Sequence, residues 1–146
     1  MISRLEAAMS GILIGKPVML AYLYGSTVDG SRLPFSDVDI ALVLDPNGPL
    51  SPYERMKLEL DIAAETERLC GIQEADVRSI DAAPLTVQGM VVTEGILLYS
   101  RDEEFRIQYE VHTRKLYFDF LPVVEMMRAA FLNHIQQEGL ASGKAR

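Results

Sequence analysis

Three observations in the sequence predict an α/β (α+β) domain, a small mixed sheet flanked by helices. Short apolar runs bounded by turn residues alternate with segments whose apolar residues recur every three or four positions. One run, DVDIALVL at residues 37–44, starts by alternating acid and apolar residues and ends wholly apolar. A central strand does this when its interior is covered and its start emerges at an open edge. The chain has 146 residues, 49% of them hydrophobic, enough for one core and too apolar for disorder.

Taken in order, Leu5, Met9 and Ile12 lie at helical spacing and predict a first helix, which Gly15 and Pro17 stop. Val18 to Tyr24 reads as a buried strand and ends in a Gly25-Ser26 turn. Residues 31–34 read as loop, and the strand from Asp37 to Leu44 ends at Asp45-Pro46-Asn47-Gly48-Pro49. Ser51, Pro52 and Glu54 form a capping box with proline at the first helical position. Met56, Leu60 and Ala63 are expected to be the inner stripe of that helix, with Gly71 as its C-terminal cap. A third strand is expected at Ala75–Ile80, a short helix at Pro84–Val92 and a last strand at Ile96–Tyr99. A long helix starts near Asp102, its face marked by Phe105, Tyr109, His112, Leu116 and Phe120. Pro122 is expected to interrupt it, and Val124, Met127, Phe131 and Ile135 mark a final helix. One domain over 1–138 and a flexible tail over 139–146 are expected.

Charge and cysteine content narrow the function. A net charge of −7 argues against nucleic-acid binding, which calls for a basic face. It leaves room for a nucleotide site, because divalent cations bridge carboxylates to phosphates. The single cysteine, Cys70, rules out an internal disulfide. The N-terminus lacks a signal-peptide pattern and no run approaches a membrane span, so a cytoplasmic protein without membrane contact is expected.

The chemistry concentrates in residues 25–44, GSTVDGSRLPFSDVDIALVL. Asp37 and Asp39 are two apart on a strand, so both carboxylates leave one face. A hard cation held between them removes their repulsion, and Mg²⁺ is commonly held by one or two carboxylates plus substrate phosphates. An isolated D-x-D is more often a solvated strand end. Gly25-Ser26 shifts the balance: glycine permits a tight turn whose backbone N–H groups approach an anion, and the serine hydroxyl donates to a phosphate oxygen. The specific feature is the order strand, Gly-Ser, ten residues, acid-x-acid, strand. A third carboxylate is expected on a neighbouring strand. Asp76, between apolar Ala75 and Val77, is the candidate, with Glu74 as the reserve. Asp81 reads as a helix cap, Arg78 as a surface ion-pair partner and Cys70 as buried and inert. His112 reads as a packed or partly exposed histidine, and His134 has no metal-ligand spacing. Met126, Met127, Phe131 and Ile135 form a candidate partner or dimer face.

The GS-x10-D-x-D pattern with a later acid resembles the nucleotidyltransferase superfamily that includes DNA polymerase β. The small size resembles its minimal (MNT) branch. The stretch GILLYSRDEEFRIQYEVHTRKLYFDFLP is similar to the C-terminal half of MNT proteins paired with HEPN toxins in toxin–antitoxin operons. The resemblance runs from about Tyr22 to about Pro122 and implies a polymerase-β-like fold with C-terminal helices. It implies that Gly25 and Ser26 grip the phosphates of ATP, and that Asp37, Asp39 and Asp76 bind two Mg²⁺ ions. Asp76 also helps deprotonate the acceptor, and AMP passes to a tyrosine of a HEPN toxin. Many MNT proteins read Ala-Arg-Gly where this chain has Val28-Asp29-Gly30; Arg32 stands close enough to compensate. Two alternatives stay open. One is an antitoxin that neutralises its partner by binding alone, and the other is a small-molecule nucleotidyltransferase of the aminoglycoside-modifying type, whose acidic surface suits a cationic substrate.

Overall fold

The computed structural model describes residues 2–25 and 37–145. Helix α1 (Ile2–Ile12) buries Leu5, Met9 and Ile12 and leads into strand β1 (Val18–Tyr24). Strand β2 (Val38–Leu44) follows the segment outside the described residues. Helix α2 (Pro52–Cys70) is entered through the expected capping box: Ser51 Oγ accepts from the Glu54 N–H, and the Glu54 carboxylate accepts from the Ser51 N–H. It ends at Gly71 in the left-handed conformation. Strand β3 (Ala75–Ser79), helix α3 (Leu85–Glu94), strand β4 (Ile96–Ser100) and helix α4 (Glu103–Ala145) complete the order.

The four strands form one mixed sheet in the order β3-β2-β1-β4. β1 runs antiparallel to β2 and to β4, while β2 and β3 are parallel. A parallel pair needs a crossover, and α2 supplies it. On one face Leu23, Ile40, Leu42 and Val77 pack with Leu5, Met9, Ile62 and Cys70 of α1 and α2. On the other, Leu20, Tyr22, Ala41 and Val43 meet Val91 of α3 and Phe105 and Tyr109 of α4. Covering both faces is why β1 and β2 read as nearly continuous apolar runs. β3 is an edge strand, and α2 blunts it: Glu67 accepts from the Ala75 N–H at 2.8 Å and Glu59 from the Ser79 N–H at 2.7 Å. Among the described residues no helix is long and apolar enough to cross a membrane.

Four local expectations are corrected. In α2, Ala63 is buried as expected but Met56 and Leu60 are exposed (50% and 61%); the inner positions are Ile62, Ala63, Thr66 and Cys70. Thr66 can be buried because its hydroxyl donates to the Ile62 carbonyl at 2.7 Å, a local satisfaction that an apolar-stripe reading misses. Asp81 does not cap α3, whose N-cap position is Pro84 without a side-chain bond. Instead both Asp81 carboxylate oxygens accept from the Leu44 N–H at 3.1 Å, tying down the far end of β2. Pro122 lies inside α4, which continues through it as one helix. The position faces solvent, so water can satisfy the carbonyl that loses its donor.

The inward face of α4 also differs from the apolar stripe. Phe105 and Tyr109 do pack on the sheet, but the line continues through Glu110, Thr113 and Tyr117, and His112, Leu116 and Phe120 turn outward. Glu110 is 7% exposed and ion-paired to Arg106 at 2.8 Å and Arg114 at 3.7 Å, which lets a carboxylate occupy the packed face. Tyr117 reaches α3 at Gly89, where an added Cβ would lie 2.1 Å from the Tyr117 Cγ. Met126, Met127, Phe131 and Ile135, farther along α4, stand exposed.

Candidate active site

Sheet register places the acids. In the parallel pair Asp39 is the partner of Asp76, and in the antiparallel pair Tyr24 is the partner of Asp39. Directly opposed residues share a face, so Tyr24, Asp39 and Asp76 form one row across three strands. The row stands at the end of the sheet where β1 finishes and β2 and β3 begin. Asp39 lies on the same pleat as Ala41 and Val43, so it belongs to the α3/α4 face, one step beyond the apolar packing. Asp37 precedes the first paired residue of β2 and is half-buried, as is Asp39.

Gly25 closes the row from above. Its φ is 82°, a conformation costly for any residue with a Cβ, and an added Cβ would sit 2.7 Å from Asp39 Oδ2. The positive φ calls for glycine here, and a Cβ would displace the Asp39 carboxylate. Ser26, the Val28-Asp29-Gly30 departure and Arg32 lie outside the described residues.

Asp76 is engaged by Arg78, whose Nε donates to Oδ1 at 3.1 Å; the carboxylate is 42% exposed and the arginine 70%. The ion pair expected for Arg78 is thus present, with the candidate third acid as its partner. Glu74 is exposed, and its backbone carbonyl accepts from the Val38 N–H. Among the described residues no three His, Cys, Asp or Glu side chains are gathered into a metal-holding group. The structure thus aligns Asp39 with Asp76 and sets Asp37 beside them, without closing the three into a cage.

Tyr24 is the residue that the sequence reading passed over. Its hydroxyl pKa is raised first by burial and then by the carboxylates of Asp39 and Asp76, with Arg78 opposing. It therefore stays a neutral donor facing both acids. Its place immediately before the Gly-Ser turn was the available signal, but an undetermined register hid which acid it would face. Away from this end, Cys70 is buried and its thiol pKa is raised by desolvation, consistent with an inert side chain, and His112 and His134 are exposed.

The family model for polymerase beta nucleotidyltransferases matches residues 10–104, from the end of α1 to the start of α4. No curated protein gives a significant sequence match. Among solved structures, the chain resembles one from a toxin–antitoxin complex crystallised with AMP-PNP, at 22% identity and TM-score 0.63, over 90% of this chain and 98% of that one. A second comes from the tri-AMPylated Shewanella oneidensis HEPN toxin in complex with MNT antitoxin, at 20% identity and TM-score 0.62, over 93% and 99%. A third comes from an MntA–HepT toxin–antitoxin crystal, at 20% identity and TM-score 0.59, over 90% and 97%. At these identities the likeness is one of fold. The family match spans the Gly25 turn, both acid-bearing strands and the rest of the sheet, and by it the chain belongs to the polymerase beta nucleotidyltransferase family.

Proposed function

We propose that this chain is a metal-dependent protein adenylyltransferase, the antitoxin of a toxin–antitoxin pair, moving AMP from ATP to a tyrosine of a HEPN toxin. One observation carries the reading: Asp39 and Asp76 stand side by side in register next to Gly25, whose added Cβ would sit 2.7 Å from Asp39 Oδ2. The solved structures of like fold support the choice of donor and acceptor, since one holds AMP-PNP and another a HEPN toxin bearing three AMP groups.

The residues present fit a hard divalent cation. The donors are carboxylate oxygens on adjacent strands, and one or two of them suffice when substrate phosphates complete the shell. Asp37, Asp39 and Asp76 would hold Mg²⁺, two ions in this reading, which when bound offset the negative charge of the phosphates. Gly25 and Ser26 hold the phosphate chain through backbone N–H groups and the serine hydroxyl. Asp76 gives up Arg78, a cheap exchange for an exposed ion pair. The acceptor phenol oxygen forms a bond to the α-phosphorus, the bond from that phosphorus to the bridging oxygen breaks, and pyrophosphate leaves. Asp76 takes the phenol proton. Tyr24 stands in the same row as a neutral hydroxyl beside the two carboxylates.

The test is label transfer from α-³²P-ATP with Mg²⁺ onto the co-expressed toxin, comparing wild type with Asp39→Asn and Asp76→Asn. Each variant is expected to lose about a hundredfold or more in rate with its fold intact. Equal labelling by wild type and variants would refute the roles given to these acids. A second reading, neutralisation by occlusion, draws on the exposed apolar side chains of the outer half of α4. Toxin that stays silenced but unlabelled by either protein would favour it.

A further inference from the structure

Three tyrosines gather on the α3/α4 face of the sheet, and their hydroxyls are used differently. Tyr109 donates to Gln88 Oε1 at 3.0 Å, and the Tyr22 hydroxyl is shut from water inside the core. Tyr24 lies two residues beyond Tyr22 on the same pleat of β1, partly buried at the margin of that cluster. It is the last residue before Gly25, and its hydroxyl is within electrostatic reach of Asp39, Asp76 and Arg78. Phenylalanine would supply the same ring to the core. The hydroxyl, set among the charged groups of the site, is what apolar packing leaves unexplained.

We infer that the Tyr24 hydroxyl is a further phosphate-binding group of this site, donating to the pyrophosphate half of the triphosphate and holding it as it leaves. The inference rests on the transferase reading and goes beyond it by giving the leaving group a side-chain donor of its own. Strand order carries it. β1 and β3 flank β2 on opposite sides, so the row has Asp76 at one end and Tyr24 at the other, with Asp39 between them. Two strand spacings separate those ends by about 10 Å. An in-line displacement sets the leaving oxygen opposite the attacking one. An acceptor whose proton goes to Asp76 enters over β3, and pyrophosphate therefore departs toward β1, where Tyr24 stands beside Gly25.

The chemistry of the group suits that place. A phenol of ordinary pKa, about 10, is neutral at physiological pH. A cation at this position would pair with Asp39 as Arg78 pairs with Asp76, and would compete with metal for the acid. A neutral hydroxyl offers one O–H to a phosphate oxygen without that competition. A hydrogen bond to an anionic oxygen is roughly twice as strong as one between neutral groups.

The experiment measures Kd by titration calorimetry, with Mg²⁺ and without toxin, for ATP, inorganic pyrophosphate and AMP. The proteins are wild type, Tyr24→Phe and Tyr22→Phe. Phenylalanine keeps the ring contacts in both variants, and melting midpoints no lower than wild type check this. Tyr22→Phe is the control, from the same pleat of the same strand but with its hydroxyl sealed in the core. The expected result is binding of ATP and pyrophosphate weakened about tenfold or more in Tyr24→Phe, unchanged binding of AMP, and no effect of Tyr22→Phe. Unchanged affinity for ATP and pyrophosphate in Tyr24→Phe would overturn the inference and leave the transferase reading standing. So would a loss that AMP shares equally, because the group would then not be reading the pyrophosphate half. Failure of wild type to bind ATP would overturn both.

Discussion

Replacing Gly25 by alanine separates the backbone cost of a left-handed turn from the cost of disturbing an acid. Gly15 is the matched control: its φ is 79° against 82° at Gly25, but a Cβ there would meet nothing within 4 Å, whereas at Gly25 it would lie 2.7 Å from Asp39 Oδ2. Both variants carry the left-handed penalty of about 1–2 kcal/mol. At this chain length each kcal/mol lowers the melting midpoint by roughly 3 °C, so both should melt about 3–6 °C early. Only Gly25→Ala must also move the Asp39 carboxylate or the turn. A displacement near 1 Å at reacting groups costs on the order of a hundredfold in rate. Melting scans and label transfer from ATP, run on both variants, read the two costs independently. Gly25→Ala keeping more than about a third of wild-type transfer would refute the claim that the glycine exists to admit Asp39, given that a displaced carboxylate should cost far more. So would equal loss of transfer in Gly15→Ala.

Two further outcomes follow from packing and ionisation. Gly89→Ala should destabilise the fold by about 1–3 kcal/mol although alanine favours helix by about 1 kcal/mol over glycine, because the new Cβ would sit 2.1 Å from Tyr117 Cγ; a double-mutant cycle with Tyr117→Ala should recover most of the loss, and additive effects would exclude the contact. The Asp81 pKa is raised from 3.8 by burial, partly countered by the bond from Leu44. A raised carboxylate stabilises most when both states are protonated, below 3.8, and that contribution is lost as pH climbs from 3.8 through the folded value. Asp81→Asn keeps an acceptor for the Leu44 N–H without the charge, so denaturant titrations across that window should show a flatter pH dependence than wild type; an unchanged slope would assign it elsewhere.

The local signals that were legible in the sequence are those whose physics is local. The capping box at Ser51 and Glu54 and the left-handed Gly71 depend on neighbours within a few residues, and the structure has them where the residues ask for them. The apolar runs of β1 and β2 were readable because a strand covered on both faces needs no alternation. Spacing also put Asp37 and Asp39 on one pleat and singled out Asp76 between two apolar neighbours. The tertiary structure decided what depends on partners distant in sequence. Register made Asp39 the neighbour of Asp76 and of Tyr24, and no hydrophobic pattern encodes how three strands align end to end. Packing decided that Thr66 and Glu110 go inside while Met56, Leu60, Leu116 and Phe120 face out, because burial follows satisfied partners and available surface as well as apolarity. Pro122 stayed helical because its exposed position lets water replace the missing bond, which composition alone does not reveal. The kinds of groups the proposed chemistry needs were therefore written locally, and the pairing of Asp39 with Asp76 was a property of the sheet.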